Sequence, residues 1–226
     1  MTETVLLDHL VVASGDLAGL IDDFRRTTGV EPLPGGRHAL GTANALVPIT
    51  VLGTATRTYL ELIGPATPDT TLTENFFGLA VSGTPRLATF AIRGTEPLET
   101  WSVRYRELGR EPWEIRQLSR RTPAGELLRW RFVPPAESPV NPVPFVIDWL
   151  DSAHPSGVAE PLIDLLSLRL AHPDPAVRAE LAALSPAIEV LDAEPSLGFV
   201  LTTPRGIVTE ADLGLIPFRP NPCEPR

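Results

Sequence analysis

The 226-residue chain contains no lysine: all 19 of its basic residues are arginine, against 28 acidic residues and a formal net charge of −9. An acidic chain with no basic run is poorly suited to nucleic acid or to an anionic membrane surface. Cysteine is nearly absent as well. Its one thiol, Cys223, stands in Pro220-Asn221-Pro222-Cys223-Glu224-Pro225-Arg226, and one thiol makes no internal disulfide. No apolar run approaches the roughly 20 residues that a membrane-spanning helix needs. Met1-Thr2-Glu3-Thr4 has no basic region, and Asp8 and His9 interrupt the apolar run from Val5, which is unlike a secretion signal. The expectation is a cytoplasmic protein. Gly-x-Gly-x-x-Gly, phosphate-loop lysine, Gly-x-Ser-x-Gly and Cys-x-x-Cys motifs are also missing.

What is present is a regular alternation of apolar segments with proline- and glycine-bearing breaks. Residues 5–12 are rich in β-formers and end at Ala13-Ser14-Gly15, so they predict a strand with His9 on the face of Leu7 and Val11. Asp16 is placed to cap a helix whose apolar face is Leu17, Leu20, Ile21 and Phe24, with Gly29 as its stop. Residues 37–49 predict a strand bulged at Gly41, and 51–52 and 58–63 predict two more, giving the order βαβββ. Residues 67–84 read as a short helix or a crossing linker.

The same order then returns. Residues 86–93 predict a strand, and Leu98, Trp101, Tyr105 and Leu108 form one helical face ending at Gly109. Strands follow over 113–118, 126–133 and 143–149. Counting back 20 residues from Gly29 and from Gly109 reaches His9 and Thr89. Tyr59-Leu60-Glu61-Leu62 aligns with Phe145-Val146-Ile147-Asp148-Trp149, which sets Glu61 against Asp148. Self-similarity of this length is evidence of a duplicated unit. Beyond Pro161 the pattern partly repeats: a strand over 165–170, a helix started by Asp174-Pro175, and strands over 188–191 and 197–203 with a turn into Ile207-Val208. A proline-rich tail starts at Pro217.

Two tandem βαβββ units, with a histidine on the first strand and a carboxylate on the last strand of the first unit, resemble the vicinal oxygen chelate (VOC) superfamily, and within it the glyoxalase-like domain proteins. The residues carrying the resemblance are Leu7-Asp8-His9-Leu10-Val11, Gly35-Gly36-Arg37-His38 with Gly41-Thr42-Ala43-Asn44, Tyr59-Leu60-Glu61-Leu62, and Pro144-Phe145-Val146-Ile147-Asp148-Trp149 with His154-Pro155-Ser156. It covers about residues 5–156. It implies an α+β fold in which units 5–65 and 86–150 curl into a mixed-sheet half-barrel cup, inside a domain of residues 1–156. Residues 157–226 are then a C-terminal βαββ extension packed on that domain. The resemblance also implies a divalent metal (Fe, Mn, Zn or Ni) held from the first and last strands of each unit, at positions here filled by His9, Glu61, Thr89 and Asp148. Thr89 departs from the pattern, since a neutral hydroxyl is a poor ligand beside imidazole and carboxylate.

On this reading His9, Glu61 and Asp148 hold the metal, a Lewis acid for a carbonyl or enediolate oxygen. His38 is the acid/base or a replacement ligand, and Arg37, Asn44, Trp149 and His154 contact the substrate. An unpaired carboxylate in an apolar strand is costly to bury, so Glu61 needs a partner or solvent. The plainer readings are a hydrogen-bonded core histidine for His9, a solvated strand-end acid for Asp148, and local turn chemistry for Arg37 and Asn44. The expected function is a metal-dependent lyase or isomerase acting on a small oxygenated or carbonyl substrate. The alternatives are a metal-free protein that sequesters a small molecule, or a metal-free biosynthetic enzyme with His38 as base. A homodimer is compatible with either.

Overall fold

The computed structural model describes residues 5–70, 72, 84–107, 114–133 and 142–216. Trp113, Leu108, Gly109, Cys223 and most of the 67–84 segment lie outside the described residues. The first unit runs β1 (Leu6–Ala13), α1 (Leu17–Thr28), β2 (Leu33–His38), β3 (Thr42–Val51) and β4 (Thr54–Pro65). The second runs β5 (Arg86–Arg93), α2 (Leu98–Glu107), β6 (Arg116–Arg121), β7 (Leu127–Val133) and β8 (Phe145–Asp148). Both are βαβββ. The 37–49 segment is not one strand: Gly41, at φ 91°, turns the chain between β2 and β3. Asp16 caps α1 by accepting from the Gly19 N–H at 2.9 Å, and Gly29 ends it in the left-handed region at φ 77°.

In each unit the first strand lies parallel to its own fourth, giving the orders β1-β4-β3-β2 and β5-β8-β7-β6. The units join along β1 and β5, antiparallel, with His9 opposite Ala91 and Val11 opposite Thr89. β1 and β5 occupy the same eight positions displaced by 80, so this register places a pseudo-twofold axis between the strands. A second, short seam pairs Arg37 with Arg121 and His38 with Arg120 and closes the cup into a barrel at β2 and β6.

Alternation sorts the side chains into two clusters. Leu10, Val12, Leu60, Leu62, Phe90 and Ile92 face outward and are covered by the apolar faces of the helices. Val11, Ala13, Ile63, Ala91, Phe145 and Ile147 face into the barrel. Trp101 and Tyr105 belong to the outer core, and the Tyr105 hydroxyl donates to the Pro144 carbonyl at 2.7 Å.

The C-terminal elements are β9 (Ile163–Ala171), α3 (Pro175–Leu184), β10 (Ile188–Leu191), β11 (Ser196–Thr203) and β12 (Gly206–Thr209). β9 runs parallel to β3 over Ile49–Val51, beyond the point where β2 stops pairing. Its own neighbours are β10 and β11, so the order is β10-β9-β11-β12. The elements of the first units recur with a different connectivity, and this piece is not a third copy of them. No described helix is long and apolar enough to cross a membrane.

Candidate functional site

A cavity opens into the barrel, with about 610 Å³ of space when the solvent at its open mouth is included. Its polar groups come mainly from the first unit. In β1, Leu7 pairs with Ile92 and His9 with Ala91, so Asp8 is the extra residue of a β-bulge. Regular alternation would send Asp8 and His9 to opposite faces, but the bulge re-aims them. Asp8 is fully buried and accepts from His9 Nδ1 at 2.7 Å. It also accepts from Arg93 Nη1 at 2.9 Å, His154 Nε2 at 3.0 Å and Trp149 Nε1 at 3.2 Å. Burial opposes ionisation of Asp8, yet the hydrogen bonds from His154 and His9 outweigh it and hold the carboxyl well below the usual carboxylate range.

With Nδ1–H committed to Asp8, His9 presents Nε2 to the cavity, 3.7 Å from Glu61 Oε2. The ring is clamped by Tyr59, stacked at 4.7 Å, and by the edge contact of Phe145 at 5.3 Å. Glu61 takes its other partner from Asn44, whose Nδ2 donates to Oε1 at 2.5 Å. Gly35 makes room for that amide, since a Cβ there would stand 2.2 Å from Asn44 Oδ1. Gly36, at φ 145°, is required by the β2–β6 seam: a Cβ would meet the Arg121 carbonyl at 2.2 Å.

His38 lines the same cavity and is hydrogen-bonded with Thr42 Oγ1 at 2.8 Å. Burial lowers its pKa below the ordinary histidine value of 6.5, against a raising effect of Glu61 and with a further lowering by Arg120. Tyr59 is pushed well above the ordinary phenol, by burial first and then by the Glu61 and Asp8 charges, so it stays a protonated donor. Arg120 brings the cavity its guanidinium, and its Nη1 donates to the Gly35 carbonyl.

His9, Glu61, His38, Asn44 and Trp149 thus share one cavity. Three other predicted site residues do not line it. Asp148 alternates with Phe145 and Ile147, so its carboxylate lies outside the barrel, where it binds Arg131 at 3.2 Å and caps the Leu150 N–H at 2.9 Å. Arg37 is exposed, because alternation along β2 turns it away from the cavity that His38 lines. His154 sits behind the wall, on Asp8. The sequence did not single out Asp8, Tyr59, Arg120, Phe132 or Phe145 as site residues. Only Asp8 had a signal, its place beside His9, and the bulge that makes it matter has none.

Strand register also corrects the internal alignment. β4 is paired to β1 with Glu61 opposite Val11, and β8 to β5 with Phe145 opposite Ala91. Ala91 is the counterpart of Val11, so Phe145, not Asp148, is the counterpart of Glu61. The second unit therefore offers Thr89 and Phe145 where the first offers His9 and Glu61. Among the described residues no group of three or more His, Cys, Asp or Glu side chains is arranged to hold a metal ion. A four-ligand metal site drawn equally from both units does not fit this donor set, since phenylalanine has no donor atom.

Paired βαβββ units around a cavity that holds His9 on the first strand and Glu61 on the fourth define a VOC-type protein. The sequence profile of the glyoxalase-like domain matches residues 7–185, and the chain belongs to that family. No curated protein matches the chain. Among solved structures, it is similar to a hypothetical protein from Staphylococcus aureus, 14% identical over 85% of this chain and 81% of that one, with a TM-score of 0.56. It is also similar to the methylmalonyl-CoA epimerase of Mycobacterium tuberculosis, 20% identical over 65% of this chain and 89% of that one, with a TM-score of 0.39. A Streptomyces coelicolor methylmalonyl-CoA epimerase in complex with 2-nitronate-propionyl-CoA is 23% identical over 57% and 86%, again at 0.39. The first likeness is one of fold, and the two epimerases carry no argument about the site.

Proposed function

We propose that this glyoxalase-like protein is an enzyme of the lyase or isomerase kind that moves a proton beside the carbonyl of a small oxygenated molecule, using its own side chains as acid and base. The observation that carries this reading is the facing pair of His9 Nε2 and Glu61 Oε2, 3.7 Å apart with Nδ1–H of the imidazole already given to Asp8. Two acceptors facing each other in a buried wall call for a proton between them, and an acidic C–H or O–H of a ligand supplies one.

In that reaction the C–H proton passes to His9 or Glu61 and the electron pair moves to the carbonyl oxygen as an enolate. Arg120 and Tyr59 line the same cavity, and a guanidinium and a phenol are the donor types that suit the oxygen on which charge develops. The proton then returns to carbon from the group that took it, or from the other after crossing the 3.7 Å between Nε2 and Oε2. Asp8 keeps the imidazole in the tautomer that leaves Nε2 free. Sequestration of a small molecule is the second reading, and it is favoured by Thr89 and Phe145 at the positions matching His9 and Glu61.

The test is hydrogen–deuterium exchange at the α-carbon of a simple hydroxyketone in D2O, with protein dialysed against a chelator. Wild type is expected to catalyse exchange, and His9→Gln and Glu61→Gln to lower it by roughly 10²- to 10⁴-fold. Exchange that appears only after a divalent metal is restored would return the metal-dependent reading. Binding without exchange under any condition would favour sequestration.

A further inference from the structure

The two units contribute differently to the cavity, and the difference points to a ligand class. His9, His38, Asn44 and Glu61 come from the first unit. The second supplies Trp130 and Phe132 on β7, Phe145 on β8 and Trp149 just after it. The chain has only 4 Trp and 8 Phe. Half of the tryptophans and a quarter of the phenylalanines therefore stand on this one wall, so it is more than ordinary strand packing.

Their rings are held before any ligand arrives. Trp149 is fixed by its Nε1–H on Asp8, and it lies 5.5 Å from Trp130 at 48°. Trp130 meets His38 edge-on at 5.9 Å, and Phe132 meets Phe145 edge-on at 6.0 Å. Fixed rings lose little freedom on binding, which favours a flat partner over a flexible chain.

Charge narrows the class further. Among the described lining residues Glu61 is the one carboxylate and Arg120 the one guanidinium, and Arg120 already acts on Glu61 electrostatically and donates to Gly35. An anionic ligand would meet Glu61 with no second cation among the described lining residues to offset it.

Resting on the reading that this cavity handles a small carbonyl compound, we infer that its substrate is uncharged and carries an aromatic ring. The oxygenated end lies at His9 and Glu61, and the ring lies against Trp130, Trp149 and Phe132. This division of labour also gives a role to Phe145, which stands where the duplication would place a second carboxylate.

Three probes separate the possibilities, with binding to the full chain followed by calorimetry. They are 2-hydroxyacetophenone (uncharged, aromatic), hydroxyacetone (uncharged, without a ring) and mandelate (aromatic, anionic). The aromatic ketone is expected to bind at least tenfold more tightly than either of the others. Trp130→Leu should erase most of its advantage over hydroxyacetone. Phe132→Leu, which removes a different ring, should do so in part, and circular dichroism confirms the fold of each variant. Equal affinity for the two ketones, mandelate binding as tightly as the aromatic ketone, or an advantage that survives both substitutions would overturn the inference. The two readings fail separately. Hydroxyacetone exchange that depends on His9 but shows no ring preference removes the aromatic ligand and keeps the chemistry. Ring-selective binding without exchange does the reverse.

Discussion

At the residue scale, Asp8 is the group on which most of the site hangs, because one buried carboxylate accepts from His9, His154, Arg93 and Trp149. Asp8→Asn removes the charge and leaves the Arg93 guanidinium without its buried partner, and we expect a loss of about 3–5 kcal/mol in denaturant unfolding at pH 7. Its folded pKa is depressed below the ordinary 3.8, so this stabilisation is complete above about pH 3.8 and is lost as pH falls through the folded value. The gap between wild type and variant should therefore stay level through neutral pH and narrow in acid. His38 has the same sign for a different reason: burial depresses its pKa from 6.5, so the unfolded chain takes up the proton first. Acidification below about pH 6.5 should destabilise wild type more steeply than His38→Gln, and the ring should titrate below 6.5 by NMR. An unaltered histidine titration would remove this part of the electrostatic account.

At the scale of elements, the glycine pair at 35–36 joins strand pairing to site geometry. Gly36→Ala places a Cβ against the Arg121 carbonyl and should weaken the β2–β6 seam, seen as faster amide exchange at Arg37 and Arg121. Gly35→Ala instead pushes on Asn44 and so on Glu61, and is expected to impair ligand binding or turnover more than stability. If the two substitutions gave the same profile, the distinction between seam and site would fail. The β1 bulge is the other decisive element, since without it His9 and Asp8 would lie on opposite faces.

For the whole molecule, the barrel and the C-terminal strands share one outer core: Ile49 and Val51 on β3 belong to the same cluster as Ile163, Leu165 and Leu168 on β9. We propose that residues 157–226, although separable by sequence, unfold together with the barrel. Ile163→Ala, at a site only 2% exposed, should cost about 2–5 kcal/mol. It should shift the tryptophan-fluorescence and circular-dichroism transitions together, whereas separate transitions would show an independently folding extension.

By itself the sequence determined the duplication. Hydrophobic period, the Asp16 cap and the Gly29 stop are local signals that mark the two βαβββ units, and the resemblance carried by their motifs implies the cup and the use of His9 and Glu61 on first and fourth strands. Local signals say nothing about register between strands distant in the chain. An odd shift moves a side chain to the other face: setting Asp148 against Glu61 is three residues out of register, and Arg37 and His38, neighbours on one strand, cannot both face the cavity. Only the tertiary structure decided that Phe145 matches Glu61 in the duplication, that Arg120 brings a cation to the cavity and that a bulge turns Asp8 onto His9. Each of these depends on which backbone atoms pair across the barrel, and that is fixed by the closing of the sheet rather than by any one segment.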